Sequence, residues 1–152
     1  MFFRLIAALL ILAPLPAFAT ENDRSKIEAA AAEWARLYEA QDLDKLMALY
    51  EPEAFVALNN QPALSGAKEV RAYFAKAFAA SKGRMRLKIE DVQIHGPVAH
   101  LVSLFRLDGQ SRDGQGNWTA VGRSLLIYRR TPGGWKILAD IDNATPDASK
   151  LK

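Results

Sequence analysis

Asp140 and Asp142 stand two residues apart near the end of the chain, a spacing that puts both carboxyl groups on one side of an extended strand. If that side is internal, burial and like-charge proximity raise one of the two pKa values, and Asp140 becomes a candidate general acid or base. The other parity, Trp135, Ile137, Ala139 and Ile141, is the more apolar. Hydrophobicity alone therefore turns that face inward and leaves the aspartates outside, exposed or in structural hydrogen bonds. Strand parity decides between a site and a surface.

Other chemistries find less support. His95 and His100 flank a Gly96-Pro97 turn, but two ligands without a nearby third fall short of a zinc site. There is no cysteine, which removes disulfides, thiolate ligands and a cysteine nucleophile. Neither a Gly-x-Ser-x-Gly elbow nor a phosphate-binding glycine loop occurs. The expectation is a protein with no metal and no cofactor. Asn117-Trp-Thr119 and Asn143-Ala-Thr145 match the glycan acceptor triplet, which has meaning only on a eukaryotic secretory route.

The elements that must position these groups begin after a leader. Arg4, the apolar stretch Leu5 to Ala13, the break at Pro14 and Pro16, and Ala17-Phe18-Ala19 form the pattern of a cleavable export signal over residues 1–19. Its apolar core is about half the roughly 20 residues that span a bilayer, so no membrane anchor is expected after cleavage. The expected location is the periplasm or the exterior. Residues 20–152 then form one domain, large enough to bury a core without staples. Loss of Arg4 leaves 19 basic against 17 acidic side chains, and no basic stripe interleaves with aromatics, so nucleic acid is not an expected partner.

Within that domain, Asp23 and Ser25 are capping candidates for a helix whose apolar positions are Ile27, Ala30, Ala31, Trp34, Leu37 and Tyr38. Asp42 caps a second helix, Leu43 to Tyr50. A short strand follows at Ala54 to Leu58. Gly66, with Glu69 three residues on, opens a third helix whose stripe is Val70, Tyr73, Phe74, Ala77 and Phe78. From Arg84 the period changes to two. Met85, Leu87 and Ile89 share a face, the phase slips at Glu90-Asp91 as a bulge would make it, and Val92 and Ile94 continue. Strands at Ala99 to Leu107, Trp118 to Arg130 and Trp135 to Ile141 complete an antiparallel meander, with a Pro-Gly-Gly turn before Trp135. Three helices on one face of a curved sheet make an α+β domain.

Two stretches carry a family resemblance. One is the tail, Gly122-Arg123-Ser-Leu-Leu-Ile-Tyr128 with the Gly134-Trp135-Lys-Ile return; the other is Trp34-Ala-Arg-Leu-Tyr38 through Asp42 to Leu49-Tyr50. Together they resemble the NTF2-like cone, in particular its SnoaL-like and DUF4440 branches, over roughly Ile27 to Asn143. The resemblance implies a pocket between the bent sheet and the helices, suited to a small apolar ligand, and a homodimer. It nominates as pocket residues Trp34, Tyr38, Tyr50, Asn59, Phe74 and Phe78, each of which its helical or strand spacing also suits to plain core. It also suggests Arg123 near the pocket, where its planar fork suits a carboxylate or enolate; the alternative is a structural pairing with Asp140.

Ketosteroid isomerase is the sharpest enzymatic analogy, and its chemistry is missing here. Those enzymes place a tyrosine donor where Trp34 lies and a carboxylate base where Leu58 or Asn59 falls. Leucine cannot abstract a proton and asparagine is not basic. Two readings therefore stand. One is an exported binder of a small apolar molecule, with Asp140 as the proton-transfer group if there is turnover and Trp34, Tyr38 and Arg123 orienting the ligand. The other is a noncatalytic homodimeric interaction module whose pocket is filled by Trp34, Phe74 and Phe78.

Overall fold

The computed structural model describes residues 21–151. The leader expected over residues 1–19 lies outside them. Among the described residues no helix is long and apolar enough to cross a membrane.

Helix α1 runs Glu21–Ala40 and buries Ile27, Ala31 and Leu37 completely or nearly so. Asp23 and Ser25 do not cap it. Both lie inside the helix, and the Asp23 carboxylate is buried in a two-pronged pair with Arg130 at 3.0 and 2.7 Å. The helix stops at Gln41, whose φ of 56° leaves the helical region. Gln41 also donates through its amide to the carbonyl of Ser81 at 2.8 Å. Asp42 caps α2, Leu43–Met47, by accepting the Lys45 backbone N–H. This helix is shorter than its spacing suggests, because Tyr50 already belongs to β1, Tyr50–Ala57. After the short β2, Leu64–Ser65, comes α3, Ala67–Ala80. Its Glu69 accepts from the Ser65 N–H at 2.8 Å, the backward reach expected at a helix start. Val70, Phe74 and Phe78 form its buried stripe.

Long strands follow: β3 Ser81–His95, β4 Val98–Ser111, β5 Asn117–Thr131 and β6 Gly134–Ala144. The sheet order is β2-β1-β6-β5-β4-β3. The meander is antiparallel as expected, but β1 pairs parallel to β6, so the sheet is mixed. A 3-10 turn at Pro146–Lys150, not foreseen in the polar tail, buries Ala148 and packs on β4 and β5.

The register of this sheet shifts on β3 and on β6, and again on β1 between Tyr50 and Phe55. On β3, Ile89 faces Ser103 and Asp91 faces Val102, leaving Glu90 as the extra residue, where the sequence shows the slip. On β6, Ala139 faces Ile127 while Ile137 faces Tyr128, so Leu138 is the extra residue. Trp135 and Ile137 are therefore buried on the same face as Asp140 and Asp142, across a change of parity.

Close approach of two strand backbones explains one glycine. A Cβ at Gly122 would lie 2.4 Å from the Asn143 carbonyl oxygen and 2.6 Å from the Phe105 ring. A Cβ at Gly133 would meet nothing nearer than 3.7 Å, at an ordinary φ. Gly122→Ala is expected to lower stability by about 1–3 kcal/mol through overpacking, while Gly133→Ala stays within about 0.5 kcal/mol of the parent. Urea midpoints of the two variants check this, and equal midpoints would contradict the close-approach account.

Candidate functional site

The concave face of the sheet and the helices α1 and α3 line a half-open cavity of about 620 Å³. Helix α1 contributes Ala31, Trp34 and Tyr38, and α3 contributes Tyr73, Phe74 and Ala77. These are one-turn spacings, so each helix presents a stripe of its inward face. Met85 and Leu87 of β3, Phe105 and Leu107 of β4 and Trp118 of β5 form the apolar sheet side. Among the polar lining groups are the paired hydroxyls of Ser103 and Ser124 at 2.9 Å, Asn59 and Gln61 after β1, Ser81, Thr119, and Asp140 and Asp142.

The Leu138 bulge overturns the expectation that the aspartates face outward. Hydrophobicity favours Trp135, Ile137, Ala139 and Ile141 on a single face, but the extra residue splits that set. Ile141 is 41% exposed and Asp140 only 6%. Parity after the bulge carries Asp140, Asp142 and Ala144 into the cavity wall.

Asp140 sits at the end of a hydrogen-bonded chain. The Trp34 indole N–H donates to the Tyr50 hydroxyl at 2.8 Å, and that hydroxyl donates to Asp140 Oδ2 at 3.1 Å. Burial pushes the Asp140 carboxyl up to about 7; the Tyr50 hydrogen bond opposes the rise and the negative charge of Asp142 adds to it. Asp142 is also raised by burial, with its Oδ1 held by the Asn59 backbone N–H at 2.6 Å pulling the other way. Burial and then the Asp140 charge keep the Tyr50 phenol far above its ordinary pKa. Burial holds the Tyr38 phenol up at about 12. Near neutrality both tyrosines are neutral, while Asp140 is poised to gain or release a proton.

Among the nominated residues, Trp34, Tyr38, Asn59, Phe74 and Asp140 come together on the cavity wall. Trp34 and Tyr38 stack at 5.3 Å, and Phe74 meets both rings edge-on. Tyr50 stands one step behind the wall, buried, and acts on the cavity through Asp140. Phe78 belongs to the core: α3 presents Tyr73, Phe74 and Ala77 to the cavity, and Phe78 packs edge-on behind Tyr38 at 5.3 Å. The placement of Arg123 near the pocket is corrected. Its parity on β5 is outward, where it binds Glu90 at 2.8 Å and Asp147 at 3.1 Å, tying the β3 bulge to the C-terminal turn. The pairing of Arg123 with Asp140 does not form either.

Sequence reasoning missed Tyr73, Trp118, Ser103 and Ser124 as wall residues. Ser103 does carry a signal, because it keeps parity with Ala99 and Leu101 and is 1% exposed. The histidines lie elsewhere, with the His100 Nε2 3.3 Å from Asp91 and the two rings 6.1 Å apart.

Among curated proteins none matches the chain. Solved structures do. A ketosteroid isomerase-like protein from Erwinia carotovora atroseptica superposes with a TM-score of 0.75 at 19% identity, over 84% of this chain and 100% of its own. An NTF2-like superfamily protein from Salmonella enterica gives 0.75 at 16% identity, over 83% and 93%. A conserved protein from Planctomyces limnophilus gives 0.76 at 16%, over 83% and 100%. At such identities the likeness concerns the fold. A family model described as SnoaL-like domain matches residues 27–139. With most of its length inside that match, this chain belongs to the SnoaL-like domain family.

Proposed function

We propose that this chain is an exported protein that binds a small, mostly apolar molecule in its cone, with Asp140 placed as a proton-transfer group and Trp34 and Tyr38 orienting the ligand. The observation that carries the reading is Asp140 itself: a carboxyl 6% exposed, on the wall of a cavity of about 620 Å³, with its pKa raised to about 7. A general acid or base works best with a pKa near the ambient pH. A pocket packed shut by Trp34, Phe74 and Phe78 would argue against a ligand, whereas here Trp34 and Phe74 are walls and Phe78 stands behind them. Export rests on the leader pattern of residues 1–19.

A second copy of the chain is the proposed partner. On the outward face of the sheet Phe55 and Ile141 are each 41% exposed and Leu125 is 36% exposed. Ile141 pairs with Leu125 on one side and with Ala57 on the other, so these side chains form one patch. An apolar patch of that kind suits an isologous twofold contact, in which the same surface meets itself.

Native mass spectrometry of the mature protein from its own export compartment, before and after denaturation, tests the ligand reading. A small molecule released on unfolding is expected; a protein that is empty and also takes up no apolar probe would sink it. The same spectra give the mass, and Ile141→Lys is expected to convert dimer to monomer. A parent that is already monomeric at micromolar concentration would rule out the proposed contact.

Asp140 also predicts a pH dependence. Its native pKa of about 7 lies above the unfolded carboxylate value of about 4. The native state therefore holds the extra proton between those values, so stability is fully present at the acid end and falls as pH rises through about 7. Asp140→Asn should flatten most of that slope in urea midpoints taken across the window, leaving the smaller contribution of Asp142. If the retained ligand identifies a substrate, the same variant should lower turnover by about a hundredfold or more. An unchanged slope would mean that Asp140 is ionised in the folded protein throughout.

A further inference from the structure

The cavity wall is one-sided in charge. Asp140 and Asp142 line it, and among the described residues no lysine, arginine or histidine does. Several basic side chains of the same strands are engaged elsewhere: Arg123 with Glu90 and Asp147, Arg86 and Arg106 with Asp108, and Arg130 with the buried Asp23 of α1. Lining the same cavity as the carboxyls are the rings of Trp34, Tyr38, Tyr73 and Phe74. Ionised carboxylates accept hydrogen bonds and donate none, and aromatic faces attract cations. An anion entering this space would meet two like charges and no counter-charge.

From this we infer that the ligand class is an organic cation: an amine or ammonium group on an apolar body, with the charged head against Asp140, Asp142 and the aromatic wall. The body then lies toward Met85, Leu87, Phe105 and Leu107, the apolar side of the sheet. This rests on the reading of the cavity as a ligand site and adds the chemistry of the ligand.

The groups that face Asp140 make the inference sharper. They are Trp34 from α1, Tyr50 from β1, Tyr73 from α3, Tyr128 from β5 and Asp142 from β6. All are neutral or negative near neutral pH, so nothing in place balances an ionised Asp140. That lack of a counter-charge accords with the raised carboxyl. An ammonium head would supply it and let the Asp140 proton leave to solvent, so its binding is coupled to proton release and strengthens with pH.

Three matched probes test this by titration calorimetry on the mature protein: phenylbutylamine, phenylbutanol and phenylbutyrate, at about pH 6 and about pH 8, where the amine stays charged. The amine is expected to bind about tenfold or more tighter than the alcohol, and the carboxylate to bind worst. Amine affinity should rise with pH while alcohol affinity stays flat. Asp142→Asn and Asp140→Asn should each remove most of the amine preference and leave the alcohol bound, the alcohol serving as the check that the variant has folded. Equal or tighter binding of the alcohol or the carboxylate would overturn the cationic ligand and leave the cavity reading standing. Failure of all three probes to bind at millimolar concentration would overturn both.

Discussion

One extra residue in β6 determines what this protein can do inside. Leu138 shifts the pairing of β6 with β5, so Ile137 lies opposite Tyr128 and Ala139 opposite Ile127. Without it, side chains would alternate from Trp135 to Ala144, and burying Trp135 and Ile137 would send Asp140 and Asp142 to the outer surface. With it, one strand buries its tryptophan and isoleucine near the turn and then presents two carboxyl groups to the cavity. The bulge also adds to the curvature that makes room for a cavity. Shape and polarity of the site have the same origin.

Placing a carboxyl there is costly, and the fold offsets the cost in two ways. The first is the chain from Trp34 through Tyr50 to Asp140, which supplies a hydrogen bond to the acid from a residue on another strand. It also joins α1, β1 and β6 at one point, so the helix that forms the aromatic wall and the strand that carries the acid are fixed together. The second is protonation: a carboxyl raised to about 7 spends much of its time neutral, when burial costs far less. The Tyr50 hydrogen bond favours the ionised form and burial the neutral one, and burial is the larger effect, with the charge of Asp142 adding to it. The same balance that makes the group tolerable in the core brings its protonation into the neutral pH range.

The helices and the β3 bulge were legible in the sequence because apolar residues mark both sides of each event. Met85, Leu87 and Ile89 hold one parity, Val92 and Ile94 the other, and Glu90 stands between them as a charge that cannot be mistaken for core. The β6 bulge has no such marker. Ile137-Leu138-Ala139 is apolar on either parity, so a slip inside it leaves no trace in the pattern, and the aspartates fall on the wrong face by simple alternation. Arg123 misled for a related reason. Gly122-Arg123-Ser124 suggests pocket chemistry, but the chemistry of the triplet lies in its neighbours: Ser124 faces the cavity, Gly122 admits the Asn143 carbonyl, and Arg123 binds Glu90 and Asp147 outside. Tyr50 has the spacing of a second-helix pocket residue, yet it lies in β1 and behind the cavity wall. Pairing with Ile137 holds it in a strand, a tertiary effect that helical spacing does not anticipate.

The strand that carries the acids also carries an exposed apolar residue of the outer face. Ile141 lies between Asp140 and Asp142 in sequence and points the opposite way, 41% exposed beside Leu125. A force on either face of β6 therefore acts on the same three residues. A partner seated on Ile141 and Phe55 would press on the backbone that sets the positions of Asp140 and Asp142, and a charged ligand drawing on the two acids would pull from the other side. β6 lies in the middle of the sheet, paired to β1 and to β5, so the two acids and the outward Ile141 share one backbone segment held on both sides.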